Sequence, residues 1–400
     1  MIPLEEARRY VLDACAPFHP SAVPLADALG LVASVAVKAE EAVPPFANTA
    51  MDGYAVRAAD TAGAPVTLEV VGSLAAGAAP DVEVGPGQAV RIMTGAPVPP
   101  GADAVVMVEL TQAAHDGSSV EVQAAVGAGQ SVRAAGSDLA PGDVVIDRGT
   151  VLTAGHLGVL ASLGVRRAPV YRRARVGVLS TGDELFDGTG PLRPGQIRDS
   201  NRPTLLALLR GAGCEAVDLG LARDDEDEIS AAVRRGTDEC DAVLTSGGVS
   251  VGDFDFVKVV LDQLGQMRWM QVAIRPAKPF AFGTVAGTPV FGLPGNPVSS
   301  MVSFELFARP ALRQMMGHTQ LERPRTKAVA DEAMRRSPDG KVHFVRVVAT
   351  MGPDGRYHVR SAGGQGSHQL AAMAAANALV VLPDGDGVPA GAEVETLLLS

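Results

Sequence analysis

The sequence lacks the features of an extracellular or membrane protein. Its 400 residues include three cysteines, Cys15, Cys214 and Cys240, which are far apart and form no Cys-x-x-Cys pair. This spacing excludes a disulfide scaffold and a zinc ribbon and is typical of the reducing cytoplasm. Neither a signal peptide nor an apolar run of about 18 residues is present, so we expect neither export nor membrane insertion.

Aromatic residues and positive charge are also scarce. Aromatics make up 4% of the chain, which leaves few platforms for base stacking, and the formal net charge is −11. An acidic chain repels a phosphate backbone, so we expect no nucleic-acid partner. Hydrophobic residues reach 47%, as in globular proteins, and the length suggests two to four domains.

The most informative stretch is residues 241–257. Its apolar start, residues 242–244, predicts a buried strand. The loop that follows contains Ser246, Gly247, Gly248 and Ser250, and then Asp253 and Asp255. Glycines and hydroxyls at a strand end can bind an anion, and the carboxylates would then require a bridging divalent cation. Considered alone, the stretch could also be a solvated glycine-rich turn.

From residue 175 strands and helices alternate, which predicts a mostly parallel, doubly wound α/β sheet. Three loops leave its strand ends, at residues 180–185, 245–255 and 293–299. They contain the carboxylates Asp183, Glu184, Asp253 and Asp255 and the donors Ser246, Ser250, Asn296 and Ser299. Arg275 and Lys278, stiffened by adjacent prolines, add positive charge for a phosphate or oxyanion. The loops should meet at one sheet edge and form a site.

Other segments are less specific. We expect helices at residues 3–15, 153–164 and 224–235, the last ending before Gly236, and a helix that runs into extended chain over 25–37. Residues 66 to 147 predict β structure. The loop at 44–56 contains Asn48, Thr49 and Asp52 and is either a site or a domain crossover, and Thr94 lies in a cleft or caps a turn. Residues 166–173 predict a solvated basic linker, with an anion-binding patch as the alternative. Residues 327–400 predict a small β-barrel in which Arg346 is a surface charge or reaches a cleft.

Two motif matches can be judged by context, and a third motif is absent. Residues 211–216 match a dinucleotide-binding pattern but follow a predicted helix, so we discount them. There is no Walker A motif. Residues 248–252 match the nucleophile elbow of a serine hydrolase with Ser250 as nucleophile, but two aspartates and no base lie beside it. Histidines at 318, 343, 358 and 368 keep a hydrolase as a distant alternative.

Several motifs together resemble one family. They are residues 48–55 (Asn-Thr-Ala-Met-Asp-Gly-Tyr-Ala), 93–96, 180–185 (Ser-Thr-Gly-Asp-Glu-Leu), 245–252 with Asp255, 276–280 and 292–299 (Gly-Leu-Pro-Gly-Asn-Pro-Val-Ser). In this order, and across essentially the whole chain, they resemble the MoeA-type molybdopterin molybdenumtransferases, the family that includes the E domain of gephyrin.

The resemblance implies an α/β multidomain protein. Its parts would be an N-terminal linker and helical domain (1–47 and 143–170), an inserted β-rich domain (48–142), a doubly wound α/β molybdopterin-binding domain (174–317) and a C-terminal β-barrel (325–400). It also implies a homodimer whose cleft combines the α/β domain of one subunit with the insertion of the other. That arrangement would give Asp52 and Thr94 a role despite their distance in sequence.

The reaction implied by the resemblance is insertion of molybdate into adenylylated molybdopterin with Mg²⁺-dependent release of AMP. The implied catalytic residues are Asp255, Glu184, Asp224, Asp52 and Thr94, with Asp255 and Asp253 at the metal. The implied substrate-binding residues are Ser246, Gly247, Gly248, Ser250, Arg275, Lys278, Asn296, Ser299, Arg346 and Ser367. A cytoplasmic enzyme with other cofactor-pathway proteins as partners is expected, and a non-catalytic gephyrin-like scaffold is the alternative.

One segment departs from the family pattern. Members often have Lys-Pro-Gly-Lys-Pro where this chain has Arg275-Pro-Ala-Lys278-Pro. Arginine retains the charge of lysine but presents a planar fork of donors, so the implied role is weaker at Arg275 than at Lys278.

Overall fold

The computed structural model describes residues 1–249 and 256–399 of the chain. The N-terminal elements are α1 (Leu4–Asp13), β1 (Ser21–Pro24), a 3₁₀ turn (Leu25–Asp27), β2 (Val32–Ala33) and β3 (Val37–Lys38). Helix α1 forms as predicted, with Ala7 and Val11 fully buried. The helix predicted at the start of residues 25–37 is limited to the 3₁₀ turn, and the extended chain predicted after it is present as β2 and β3. Gly30 takes a left-handed φ of 75° that directs the chain from the 3₁₀ turn into β2.

The insertion is all β. Its strands are β4 (Asn48–Thr49), β5 (Gly53–Val56), β6 (Val66–Leu74), β7 (Gln88–Ile92), β8 (Ala104–Met107), β9 (Thr111–Ala113), β10 (Ser119–Val122) and β11 (Val132–Arg133). Six of them form a sheet in the order β8-β5-β7-β6-β10-β9, while β11 pairs with β4. In β10 the period-two alternation of apolar residues buries Val120 and Val122 on one face. The β structure predicted from residue 66 is therefore confirmed.

The chain then returns to the N-terminal region with β12 (Val144–Ile146), α2 (Ala154–Ser162) and β13 (Arg167–Tyr171). Strand β12 pairs with β3, and β13 lies between β1 and β2. The solvated linker predicted over 166–173 is wrong, because Ala168 and Val170 are apolar alternate residues that β13 buries. Its arginines are engaged as well: Arg172 donates to both oxygens of Asp241, at 2.6 and 2.5 Å.

The α/β region follows. Its strands are β14 (Arg175–Thr181), β15 (Leu185–Phe186), β16 (Ile197–Arg198), β17 (Glu215–Ala222), β18 (Ala242–Ser246), β19 (Gly265–Gln271), β20 (Ile274–Arg275), β21 (Pro279–Val285) and β22 (Thr288–Leu293). Its helices are α3 (Asn201–Gly211), α4 (Glu226–Glu239), α5 (Phe256–Leu264), α6 (Pro297–Ser303) and α7 (Arg309–Met315), and a π-helical turn (Phe304–Ala308) joins the last two. Within the described residues, none of the helices is long and apolar enough to cross a membrane.

The main sheet has the order β17-β14-β18-β22-β21-β19. The pairs among β17, β14, β18 and β22 are parallel, while β21 pairs antiparallel with β22 and β19. Helix α3 leads from β14 outward to β17, and α4 brings the chain back to β18 on the other side of β14. The carboxyl ends of β14 and β18 therefore form a topological switch point, where open α/β sheets bind ligands.

Helix α4 differs from its predicted end. The side chain of Asp225 caps the helix by accepting from Asp227 N and Glu228 N, and the helix continues to Glu239. The predicted end before Gly236 is wrong, because Gly236 lies inside the helix where it crosses the sheet. A Cβ there would lie 2.7 Å from Leu219 and 2.9 Å from Val243, so this glycine allows close packing of helix on sheet.

The C-terminal region closes into a barrel, as predicted. Its elements are β23 (Arg325–Ala330), β24 (Met334–Arg335), β25 (Val342–Met351), β26 (Tyr357–Ser361), α8 (Leu370–Ala375), β27 (Ala378–Leu382), β28 (Gly387–Val388) and β29 (Glu393–Leu398). Strand β25 pairs with both β26 and β27, which closes the ring β25-β26-β23-β29-β27. Strand β20 adds to β25 in parallel and aligns Arg275 with His343, so the barrel is attached to the α/β region beside Arg275.

Candidate active site

The glycine turn after β18 lies at the centre of the sheet edge. Gly247 and Gly248 have φ values of 102° and 68°, and Gly247 donates its N–H to Leu293 O at 3.1 Å. A Cβ at Gly247 would lie 3.0 Å from Thr181 O, so a side chain there would be both strained and crowded. The turn is therefore held against the ends of β14 and β22, as the sequence predicted.

Helix α3 starts beneath the same edge. The Asp199 side chain, 1% exposed, accepts from Ser180 Oγ at 3.2 Å and from the backbone N–H groups of Asn201 and Arg202 at 3.1 Å each. Arg202 also donates to Asp218 at 2.9 Å and to Asp187. Although burial opposes it, hydrogen bonding to these carboxylates raises the pKa of Arg202. This network fixes the start of α3 relative to β14.

The third loop joins the sheet to the barrel. Gly295 lies against the glycine turn, since a Cβ there would be 3.7 Å from Gly247 Cα. Asn296, as predicted, is in the loop before α6, and Ser299 in the first turn is buried. Val298 N donates to Ser367 O at 3.1 Å, which positions the barrel loop over α6.

The acidic side of the edge is formed by the ends of β14 and β17. Asp183 N donates to Asp224 Oδ2 at 3.4 Å, and Asp224 N donates to Asp183 Oδ1 at 3.3 Å. Asp183 and Glu184 are exposed and Asp224 is half-buried. Across residues 1–249 and 256–399, no group of three or more His, Cys, Asp or Glu is arranged to hold a metal. Ser250, Asp253 and Asp255 were also predicted here and lie outside the described residues.

The basic side is a cavity of about 310 Å³ between the α/β region and the barrel. Its lining includes Arg275, Lys278, Asn296, Ser299 and Ser367, which the sequence had assigned to one site. Both cations are exposed, and neither forms an ion pair or side-chain hydrogen bond within the described part of the chain. Among the described residues the lining contains no carboxylate, so Arg275 and Lys278 present positive charge to the cavity.

The segment between these cations is conformationally unusual. Ala277 is 2% exposed and has a φ of 73°, a region that non-glycine residues rarely adopt. This is the position where the family pattern often has glycine. The backbone that places Arg275 and Lys278 on the same cavity is therefore retained in this chain at a cost in strain.

Arg346 lies behind the cavity lining. It is fully buried, and its Nη2 donates to Gly364 O at 2.8 Å and Gly366 O at 3.2 Å. Burial lowers its pKa, and in the described structure its Nε and Nη1 have no hydrogen-bond partner. Of the two sequence alternatives, a surface charge is wrong. Arg346 supports the loop from Gly364 to Gly366, and Gly366 lines the cavity.

A second cavity, of about 690 Å³, adjoins the first and shares Arg275, Gln365 and Gly366 with it. Lys341 lines the smaller cavity and donates to Asp339 Oδ2 at 2.8 Å, a hydrogen bond that lowers the pKa of Asp339. Lys341 and Gln365 were not predicted from the sequence as site residues. Neither lies in a recognised motif, and only the pairing of β20 with β25 brings them to the site.

Asp52 and Thr94 meet in the insertion. Asp52 Oδ1 accepts from Thr94 N and Thr94 Oγ1, both at 2.7 Å, and hydrogen bonding to Thr94 lowers the pKa of Asp52. Thr94 therefore fixes an ionised carboxylate rather than only capping its turn. No strand of the insertion pairs with the α/β sheet in residues 1–249 and 256–399. The structure thus does not bring this pair to the other predicted residues within one chain.

Three successive regions of the chain match known protein families. Residues 2–164 match the MoeA N-terminal region (domain I and II), residues 177–314 a probable molybdopterin binding domain, and residues 327–399 the MoeA C-terminal region (domain IV). The fold and site define an α/β protein of the molybdopterin-binding class with an N-terminal β insertion and a C-terminal barrel.

Relatives that match over nearly their whole length identify the family within this class. The chain is 39% identical to a molybdopterin molybdenumtransferase of Haemophilus influenzae, covering 99% of this chain and 98% of the relative. It is 41% identical to molybdopterin molybdenumtransferase 2 of Mycobacterium tuberculosis, covering 96% of each. A crystal structure of a molybdopterin biosynthesis MoeA protein from Pyrococcus horikoshii superposes with a TM-score of 0.84 at 30% identity, covering 100% and 99% of the two chains. The chain belongs to the MoeA family of molybdopterin molybdenumtransferases, enzymes of molybdenum cofactor biosynthesis.

Proposed function

We propose that this enzyme inserts molybdate into adenylylated molybdopterin and releases AMP in a Mg²⁺-dependent reaction. The observation that carries the proposal is the carboxylate-free cavity in which Arg275 and Lys278 have no protein partner among the described residues. Molybdate is a tetrahedral dianion, and two cations with the hydroxyls of Ser299 and Ser367 suit four acceptor oxygens. Charge-assisted hydrogen bonds of this kind are stronger than neutral ones.

The two halves of the reaction require adjacent subsites. The turn at Gly247 and Gly248 offers an anion cradle for the phosphate of the adenylylated substrate. Gly295 lies against that turn, and the next residue, Asn296, lines the cationic cavity. A substrate with its phosphate on the turn would therefore extend its dithiolene toward molybdate held by Arg275 and Lys278.

The acidic side suits Mg²⁺. Glu184 and Asp224 provide carboxylate oxygens, the hard ligands that Mg²⁺ prefers, beside the anion cradle. Mg²⁺ bound there would offset the negative charge of the phosphoanhydride that is cleaved. Asp255 and Asp253 are assigned to the same ion by the family resemblance, and Ser250 to the substrate.

The distant pair Asp52 and Thr94 supports a homodimer. Thr94 holds the Asp52 carboxylate with two hydrogen bonds from another loop, and no strand of the insertion pairs with the α/β sheet among the described residues. We assign the pair to the active site of a partner subunit. Free, buried Cys15 and Cys214 support a reducing, cytoplasmic location, where other cofactor-pathway proteins would deliver the substrate.

The test is AMP release from adenylylated molybdopterin, with and without molybdate and Mg²⁺. We expect release that needs both ions and that falls about 100-fold in Asp255→Ala and in Glu184→Gln, as for loss of a metal-organising group. An enzyme that binds the substrate but never releases AMP would contradict the proposal and favour a non-catalytic scaffold. If Asp255→Ala is fully active, the reaction stands but the role of the loop after β18 is wrong.

A further inference from the structure

The amide of Asn201 connects two loops of the site. Its Nδ2 donates to Ser246 Oγ at 2.8 Å, at the end of β18, and to Gly295 O at 2.6 Å, in the loop after β22. Asn201 is the first residue of α3, and Asp199 holds its backbone N–H at 3.1 Å. The side chain thus starts from a fixed backbone.

The orientation of this amide is determined by chemistry. Gly295 O is a carbonyl oxygen and can only accept, so the Asn201 atom facing it must be the nitrogen. Both amide hydrogens are then used, one on Gly295 O and one on Ser246 Oγ. Ser246 consequently accepts a hydrogen bond, and its own proton remains available for donation.

The Ser246 proton has no acceptor in the described part of the protein. The residue is 2% exposed, so bulk water does not easily replace a missing partner. Ser246 directly precedes Gly247 and Gly248, whose positive φ values shape the turn. A ligand oxygen on that turn would serve as an acceptor for this proton.

We propose that Asn201 is a positioning residue that makes the Ser246 hydroxyl an obligate donor to a phosphate oxygen of the substrate. By holding Gly295 O with its second hydrogen, it also fixes the spacing between the glycine turn and the loop that leads to the cationic cavity. Asn201 itself touches no reacting atom. This inference rests on the proposed function for the identity of the phosphate. The two hydrogen bonds from the Asn201 amide to Ser246 Oγ and Gly295 O, which we call the clamp, can nevertheless be tested without turnover.

The test is a double-mutant cycle on binding. Adenylylated molybdopterin labelled in its AMP moiety would be measured by equilibrium dialysis without molybdate, for wild type, Asn201→Leu, Ser246→Ala and the double variant. We expect about a tenfold loss of affinity for each single variant, the worth of one charge-assisted hydrogen bond. Because the contact with Ser246 Oγ is already lost in the Ser246→Ala background, Asn201→Leu should cost clearly less there than in the wild type, and the remaining cost reports the contact with Gly295 O.

Asn201→Asp provides a second readout. Aspartate has the same shape but only accepts, so the Ser246 proton would turn toward it and away from the ligand. We expect weaker binding than in Asn201→Leu, with kcat and KM for AMP release both affected. Asn377→Leu is the matched control, because the Asn377 amide bridges Ala349 N and O in the barrel at 2.7 and 2.9 Å. It should lower the melting temperature but leave affinity unchanged.

Additive losses in the cycle would overturn the clamp, as would unchanged affinity in Asn201→Leu. Pyrophosphate is the second probe, since it carries the oxyanion without the pterin. If wild type binds pyrophosphate but not adenylylated molybdopterin, the proposed function fails and the cycle on pyrophosphate still decides the clamp. If wild type binds neither, both proposals fail.

Discussion

Thr94 donates two hydrogen bonds of 2.7 Å to a single oxygen of Asp52, one from its backbone N–H and one from its hydroxyl. The two residues are 42 positions apart, on loops at neighbouring ends of the insertion sheet. Thr94 therefore holds an exposed carboxylate in one orientation, which a freely rotating aspartate would not keep.

If this carboxylate serves a partner subunit, two inactive variants should complement each other. Asp52→Asn and Lys278→Ala are each expected to lose AMP release, but their mixed dimer contains one site with both native residues. After exchange of subunits at a 1:1 ratio, about a quarter of the wild-type activity should return, from the statistics of a two-fold dimer. The measurement is AMP release before and after exchange. Activity that stays at the level of the separate variants would place Asp52 in its own subunit's site or outside any site.

The cationic cavity predicts that loss of either positive charge weakens the binding of molybdate. Lys278→Gln and Arg275→Gln should each raise the KM for molybdate by about 10- to 100-fold, the loss of one charge-assisted contact. Arg275→Lys restores the common family residue and should stay within about threefold of wild type. Steady-state kinetics with varied molybdate would measure this. Lys327→Gln is the control, because Lys327 is exposed on the barrel and paired with Glu393 at 2.7 Å. Equal effects of Lys327→Gln and Lys278→Gln would argue against a molybdate subsite.

The positive φ of Ala277 predicts that replacement by glycine and replacement by valine affect stability differently. Ala277→Gly should be tolerated or stabilise the fold by up to about 1 kcal/mol, because glycine adopts the left-handed conformation freely while the loss of a buried methyl group partly offsets the gain. Ala277→Val should destabilise by about 2 kcal/mol or more, since a β-branched residue at positive φ in a buried position is both strained and overpacked. Denaturant unfolding would measure both. A valine variant as stable as wild type would show that the segment is not held in this conformation.

His318 predicts an acid-dependent loss of stability. Burial, together with Arg313 and Arg309, lowers the pKa of His318 to about 4. The unfolded chain therefore binds a proton below about pH 6.5 that the folded chain does not bind until about pH 4. The contribution of neutral His318 to the free energy of unfolding is fully present above pH 6.5 and is lost as the pH falls toward 4. The decline should be about 1 kcal/mol after allowance for partial exposure.

Replacing the imidazole should remove that decline. His318→Gln is expected to flatten the pH dependence of the free energy of unfolding between pH 6.5 and 4, whereas His19→Gln, at an exposed position, should leave it unchanged. Unfolding by denaturant at several pH values would measure the slopes. An unchanged slope in His318→Gln would assign the acid sensitivity of the protein to other groups.

Much of the fold was predictable because local signals agreed with it. The apolar spacing in residues 4–13 and the short apolar strands of the α/β region specify elements that need no long-range contact to be recognised. The elements that were predicted wrongly also differ because of a few residues each. Gly30 interrupts an apparently helical pattern, Gly236 packs a helix onto the sheet instead of ending it, and alternate apolar residues in 167–171 are hidden among arginines.

The sequence by itself determined the chemistry available to this protein: glycines at strand ends, hydroxyls and carboxylates in the same loops, and two cations stiffened by prolines. Those features depend on residue type and short spacing, which a linear chain displays directly. Only the tertiary structure decided which groups meet. The switch point between β14 and β18, the pairing of β20 with β25 and the amide of Asn201 bring together residues more than 40 positions apart, and strand order, register and side-chain reach have no signature within any single segment.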